Sequence, residues 1–258
     1  SLWQAAAADV ASAAGMASLP LPIAIDQSSR EPQRPEPTPL VPLTVEREPA
    51  EFRGTGGLLR DLARDYAPDD LLLVGNGAQV LIEPLPRLFA DLSAAAASVA
   101  IIAHRDGTPS GLFLVRCSVF QTVGDVGFLD FKEQLLPRLA SAGHAIRVLQ
   151  RDTATGIPVR TLDGYLSALS AYHRLQAGLP ISQDPFGEAW APDFGIVEPG
   201  ARVDQGATVH DSVVLSGGAL ERGAAAVRCV ICPGAVVRAG RTVADQIVVP
   251  DHPARRSA

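Results

Sequence analysis

Apolar residues recur every three to four positions across residues 1–15, 54–67, 85–97, 129–143 and 161–178, a spacing that predicts helices. In the second of these, Leu58, Leu59, Leu62 and Ala63 share a face; in the fourth, Phe131, Leu135, Leu136 and Leu139 do. Gly15, Gly143 and Gly178 stand where three of the helices should stop, and Thr161 stands where the last should be capped. Between the helices lie short apolar runs that predict strands: LPIAID at 21–26, LTVERE at 43–48 and LLLV at 71–74, then SVAIIAHR at 98–105, GLFLVRCSVF at 111–120 and AIRVLQ at 145–150. Strands alternating with helices imply a mostly parallel sheet with helices on its faces. The stretch at 27–43 is dense in proline, which blocks both ladder and helix hydrogen bonds, and reads as an extended surface excursion.

Near residue 190 the helical spacing disappears and a 17-residue repeat takes over, with coils starting at Val197, Val214 and Ile231. Glycines align at 200, 217 and 234 and again at 206, 223 and 240. Apolar columns align at 203, 220 and 237, at 209, 226 and 243, and at 213, 230 and 247. Three apolar positions per repeat describe a three-sided coil with one inward side chain per side and glycine at the corners. The expected architecture is a hexapeptide solenoid. One coil has nothing to stack on, so three is close to the minimum for stability. The prolines and arginines of the tail at 250–258 are expected to protect its open end. The expected domains are therefore residues 1–190 and 191–258.

Composition narrows the classes. The chain has 258 residues, 47% of them hydrophobic and 19% charged, enough for a large core and too apolar for global disorder. A net charge of −6 argues against a nucleic-acid partner. Arginine supplies nearly all the positive charge, and Lys132 is the only lysine. The three cysteines, Cys117, Cys229 and Cys232, do not make a disulfide framework and suit a reducing, cytoplasmic setting. The spacing of Cys229 and Cys232 fits half a zinc site, but no second ligand pair is apparent, so both read as small buried residues. The longest apolar run falls short of the roughly 20 residues that cross a bilayer. The first residues, SLWQAAAADVASAAG, lack a basic start and make a poor signal peptide. With no initiating Met, the chain reads as trimmed or truncated.

Five segments carry a resemblance. FRGTGGLLRDLA, DDLLLVGNGAQVL, SGLFLVRCSVF, LDFKEQLLPRLASAGHAIRVL and GIPVRTLDGYLSAL occur in the order of matching motifs in bacterial sugar-phosphate nucleotidylyltransferases. The chain looks most like the mannose-1-phosphate guanylyltransferase-like members. That resemblance implies a Rossmann-like α/β nucleotidyltransferase sheet domain, N-terminally truncated or reduced, followed by a three-coil left-handed β-helix. It implies that Gly54, Thr55 and Gly56 pack near a nucleotide base, that Asn76 and Gly77 end the nucleotide strand, and that Gly111 belongs to the sugar-pocket strand. It matches Thr161 and Tyr165 to the start of the last helix.

The departures concern chemistry. The family binds Mg²⁺ through two aspartates, which align with Ala78 and Pro158, and neither side chain can ligate a metal. Glu83 is the nearest downstream acid. The family's phosphate-gripping Gly-rich start and its Glu-Lys-Pro motif have no counterpart, and Lys132 lies on the wrong helix to substitute. The expectation is a catalytically degenerate nucleotidyltransferase-like protein that binds a nucleotide or sugar nucleotide. It would act as a regulatory or binding partner, as a homo-oligomer or with an active paralogue, and would have no resident metal or cofactor. One alternative is an active enzyme with rearranged ligands, which would need Mg²⁺; another is a hexapeptide acyltransferase using His210. Gly54–Gly57 equally fit a plain helix-entry turn, His104 fits a surface residue, and Asp130 with Glu133 fits a solvated helix face.

Overall fold

The computed structural model describes residues 2–31, 41–48, 53–124, 127–176 and 194–250. They form two compact units: Ser1–Gly77 with Glu83–Gly156, and Ala78–Ile82 with Ile157–Ala258. The fold is mixed α/β with several parallel sheets.

In chain order the first unit holds α1 (Leu2–Ala13), β1 (Leu21–Ile25), β2 (Leu43–Arg47), α2 (Gly54–Ala63) and β3 (Leu71–Gly75). After β4 (Gln79–Leu81), which belongs to the second unit, come α3 (Leu85–Ala94), β5 (Val99–His104), β6 (Pro109–Arg116), α4 (Leu136–Ser141) and β7 (Ile146–Arg151). The central sheet has the order β3-β6-β5-β7. β5 and β7 are parallel, while β6 runs antiparallel to both of its neighbours. The expected mostly parallel sheet is therefore mixed, and the reason is local. Asp106-Gly107 makes a tight turn, with Gly107 at φ +82°, and a link that short can join only antiparallel strands.

Successive side chains of a strand point to opposite faces. Val99, Ile101, Phe113 and Val115 pack with Leu59 and Ala63 of α2 and with Phe131, Leu135 and Leu139. The alternate residues Ala100, Ile102, Leu112 and Leu114 supply the other face, where α3 packs on β5 and β6 and carries buried Leu88 and Leu92. β1 and β2 form a separate, two-stranded parallel sheet.

Two elements differ from expectation. The apolar run at 111–120 leaves its strand at Arg116 and continues as a 3₁₀ turn, Cys117–Thr122, because Cys117 N donates to Asp70 O and Ser118 N to Pro68 O. The helix expected at 129–143 begins as a π-type turn, Phe131–Leu135, and becomes α4 afterwards. Pro137 lies at the changeover and has no N–H, so the change of register wastes no donor there.

In the second unit β4 pairs with β8 (Gly156–Pro158), and α5 spans Leu162–Gln176, its Gly164 N held by Thr161 Oγ1 at 3.1 Å. The coil strands are β9 (Gly195–Val197), β10 (Arg202–Val203), β11 (Thr208–His210), β12 (Ser212–Val214) and β13 (Ala219–Leu220). They continue as β14 (Ala225–Val227), β15 (Val230–Ile231), β16 (Val236–Val237), β17 (Thr242–Ala244) and β18 (Ile247–Val248). These build three parallel sheets, β9-β12-β15-β18, β10-β13-β16 and β11-β14-β17. Paired residues lie 17 apart: Val203 with Leu220, Val209 with Ala226 and Val213 with Val230. Val214, Leu220, Ala226, Ile231 and Val237 form the buried core.

The two glycine columns take positive φ, from +67° to +89°. The third corner is not glycine: Asp211, Arg228 and Asp245 take it at +46°, +49° and +53°. Leu166 of α5 packs with Phe194, Val213 and Val230, so this helix is part of the coil unit. The expected boundary at 190/191, the stop at Gly178, the tail at 251–258 and most of the proline-rich stretch lie outside the described residues.

Candidate functional site

The glycines that open α2 meet protein. Gly56 N and Gly57 N donate to Leu129 O at 2.8 and 3.3 Å. Arg53 N and Gly54 N donate to the Glu48 carboxylate at 3.1 and 3.3 Å. Free amides at a helix N-terminus attract anions, and here a carboxylate from the β2 side and a backbone carbonyl already take them. A Cβ on Gly54 would stand 2.7 Å from Leu129 O, and one on Gly56 2.9 Å from the same atom. That close packing accounts for the glycines.

Thr55 Oγ1 accepts from Phe131 N at 3.1 Å and donates to Asp130 Oδ2 at 3.4 Å. Asp130 itself accepts from Lys132 N and Glu133 N, each at 2.8 Å. It is the cap of the turn that follows, while Glu133 is exposed, as expected of a solvated face.

At the tip of β3, Asn76 N donates to Gly111 O at 2.9 Å, so these two candidate residues are brought together. Gly111, at φ +73°, lies in a bulge where the β5–β6 register shifts; Ser110 Oγ reaches Ile102 O at 2.9 Å there. The Trp3 ring lies against the tip: a Cβ on Gly75 would be 2.7 Å from Trp3 Cη2. Trp3 Nε1 donates to Gly77 O at 3.3 Å. A Cβ on Gly77 would meet nothing within 4 Å.

In the second unit the two positions aligned with metal aspartates are neighbours. Val159 N, next to Pro158, donates to Ala78 O at 2.9 Å. A divalent cation of the Mg²⁺ type needs hard oxygen donors, and the side chains of Ala78 and Pro158 offer none, so these residues do not fit such an ion. Glu83 is committed elsewhere, 3.6 Å from Arg87 and 3.8 Å from Arg151. Among the described residues no group of three His, Cys, Asp or Glu side chains is placed to hold a metal.

An open cleft of about 530 Å³ is lined by His104, Arg105, Asp106, Asp152, Thr153 and Ala154. His104 Nε2 accepts from Thr155 N at 3.4 Å, which leaves the proton on Nδ1, 3.2 Å from Thr108 Oγ1. That hydroxyl donates to Asp106 at 2.6 Å, and the two Thr108 hydrogen bonds hold the Asp106 carboxyl below its usual range. Both ring nitrogens of His104 thus have partners on the protein, Thr155 and Thr108.

In the coils, His210 Nδ1 is 3.4 Å from Asp211 Oδ2. Cys229 is buried and its Sγ reaches Val227 O at 3.1 Å. Burial also raises the Cys117 thiol, which favours its protonated, unreactive form. No helix among the described residues is long and apolar enough to cross a membrane.

Sequence reasoning missed Trp3 and Glu48. Neither lies in a motif; both act through contacts between separate segments, and only the acidic character of Glu48 ahead of a glycine-rich helix start was a usable signal.

No protein-family model matches the chain. No curated protein matches it either. Among solved structures it is similar to HddC from Yersinia pseudotuberculosis, at 13% identity and a TM-score of 0.46, covering 66% of this chain and 84% of that one. The same protein complexed with GMP-PN gives 15% identity and a TM-score of 0.40, over 52% of this chain and 68% of that one. At this degree of likeness neither structure bears on the chemistry of this chain.

Proposed function

We propose that the protein is a degenerate relative of the GDP-mannose type of sugar-phosphate nucleotidylyltransferases, acting by binding rather than by catalysis. Its ligand would be a nucleotide or sugar nucleotide, and its partner another copy or an active paralogue. Its coils would wind as a left-handed β-helix. The observation that carries the reading is the pairing of Ala78 with the segment of Pro158 through the 2.9 Å Val159–Ala78 hydrogen bond. The two sites where the resemblance calls for metal aspartates lie side by side, and neither holds an acid.

Transfer of a nucleotidyl group without that metal forgoes electrostatic stabilisation worth several kcal/mol, or about a thousandfold and more in rate. Pyrophosphate release from GTP, ATP, UTP or dTTP with sugar phosphates and Mg²⁺ is therefore expected to stay below about 0.1 s⁻¹, and faster turnover overturns the reading. Mn²⁺ titration separates the cause: the native chain should bind no ion at this position, and the Ala78→Asp/Pro158→Asp double variant should gain one. Stoichiometric binding by the native chain would mean that other carboxylates have taken over. A screen of melting temperature against nucleotides and sugar nucleotides tests binding, with about 2.7 kcal/mol of stabilisation expected at a hundredfold excess over Kd.

A further inference from the structure

Asn76 is the only asparagine in the chain, and a glycine follows it. Asparagine is among the thermolabile residues. The backbone nitrogen of the next residue can attack its side-chain carbonyl carbon, and glycine, with no Cβ, obstructs that approach least. In a folded protein the attack depends on how firmly that nitrogen is held. An N–H bonded into the structure must first be released by local opening, whereas an unbonded one on the surface needs almost none.

The chain has three Asn-Gly or Asp-Gly pairs, at 76–77, 106–107 and 163–164, and their glycine amides are held differently. Gly107 N donates to His104 O at 2.8 Å, inside the tight turn after Asp106. Gly164 N donates to Thr161 Oγ1 at 3.1 Å, in the first turn of α5. Gly77 N donates no hydrogen bond among the described residues. Gly77 is exposed, lies in the bend between β3 and β4, and has nothing within 4 Å of where a Cβ would stand. The bonds beside it spare the reacting nitrogen: Asn76 N donates to Gly111 O at 2.9 Å, and Gly77 O accepts from Trp3 Nε1 at 3.3 Å.

We propose that Asn76-Gly77 is a self-modification site, where the tip of β3 changes from a neutral amide to a carboxylate with water as the only co-reactant. Gly77 N bonds to Asn76 Cγ, the Cγ–Nδ2 bond breaks, and ammonia leaves with the proton from Gly77 N. The product is a cyclic imide. Water then opens the ring, its hydroxyl going to a carbonyl carbon and its proton back to the nitrogen. Opening at Cγ gives aspartate. Opening at the main-chain carbonyl gives isoaspartate, in which the backbone runs through the former side chain. Either product is anionic. From Leu71 to Ile82 the chain otherwise carries no charged side chain, so the change converts the whole tip from neutral to negative.

The test incubates the whole chain at mildly alkaline pH, where the Gly77 amide proton is lost most easily. The tryptic peptide spanning residues 65–87 is followed over time by the mass gain of amide-to-acid conversion and by isoaspartate content. Asn76 in the folded chain should convert within about tenfold of its rate in the urea-unfolded chain, because an unbonded surface amide needs little opening. Asp106 and Asp163 should lag their own unfolded rates by more. Gly77→Ala has open space for its methyl group and so keeps the fold, and it should slow conversion at least about tenfold by restricting the approach. Asn76→Gln should abolish it. A folded-state rate at Asn76 further below the unfolded one overturns the proposal, as does an equal rate in Gly77→Ala. So does isoaspartate that forms first at Asp106 or Asp163.

Discussion

Ile231 offers the sharpest test of how the coils are held together. It is fully buried, and its parallel register sets it between Val214 of the preceding coil and Val248 of the next. Ile231→Ala removes three carbons, worth about 2.4 kcal/mol at roughly 0.8 kcal/mol per buried CH₂. Partial collapse of the cavity adds to that, and large-to-small changes at such sites cost about 2–5 kcal/mol, so a loss of about 3 kcal/mol is expected. Val248→Ala is the comparison. Among the described residues Val248 pairs with Ile231 alone and is only half-buried, so about 1 kcal/mol or less is expected. Because a solenoid transmits stability through nearest neighbours, the Ile231 loss should spread to residues 208–214 as well as 225–231. Hydrogen exchange of those segments across a urea series measures it without assuming that the two units unfold together. A cost below about 1 kcal/mol at Ile231, or equal costs at the two sites, refutes the stacked-coil account.

Other outcomes follow from the same geometry. Arg228→Gly should be close to neutral by urea unfolding, since relief of about 1 kcal/mol of left-handed strain offsets an exposed Asp245 ion pair of at most about the same size; Arg228→Val should cost more, as a β-branched residue tolerates φ +49° poorly. Gly75→Val should push the Trp3 ring off the strand tip, seen as a red shift of tryptophan emission and a loss of about 1–3 kcal/mol. The hydroxyls of Ser28 and Ser29 hold the Asp26 carboxyl down to about 2, against an ordinary 3.8. A depressed folded-state value means that the contribution is fully present above the unfolded value and is lost as pH falls towards 2. A carboxyl titration by NMR of the Ser28→Ala/Ser29→Ala variant should show the value moving back towards 3.8; an unmoved value would refute the hydroxyl contribution.

The alternation of apolar runs with helical spacing specified most elements of the first unit, and the 17-residue columns specified the pairing of every coil strand, because in a repeat each residue's partner sits one period away. The alignment of Ala78 and Pro158 with metal acids came from the resemblance and not from any period in the chain. The third corner column escaped notice because Asp211, Arg228 and Asp245 share a backbone conformation and not a chemistry.

Other features depended on contacts between distant segments. The glycines of α2 are explained by Leu129, the exposed tip of β3 by Trp3, and the amides ahead of Gly56 by Glu48. The short link around Asp106-Gly107 carried a turn signal that sequence reasoning did not use, and its consequence, a reversed strand inside an otherwise co-directional sheet, appears only when neighbours are paired. Sequence alone determined what is periodic or local. Tertiary structure decided which polar groups were already occupied and which strands run side by side, because a hydrogen bond between remote residues leaves no period behind in the chain.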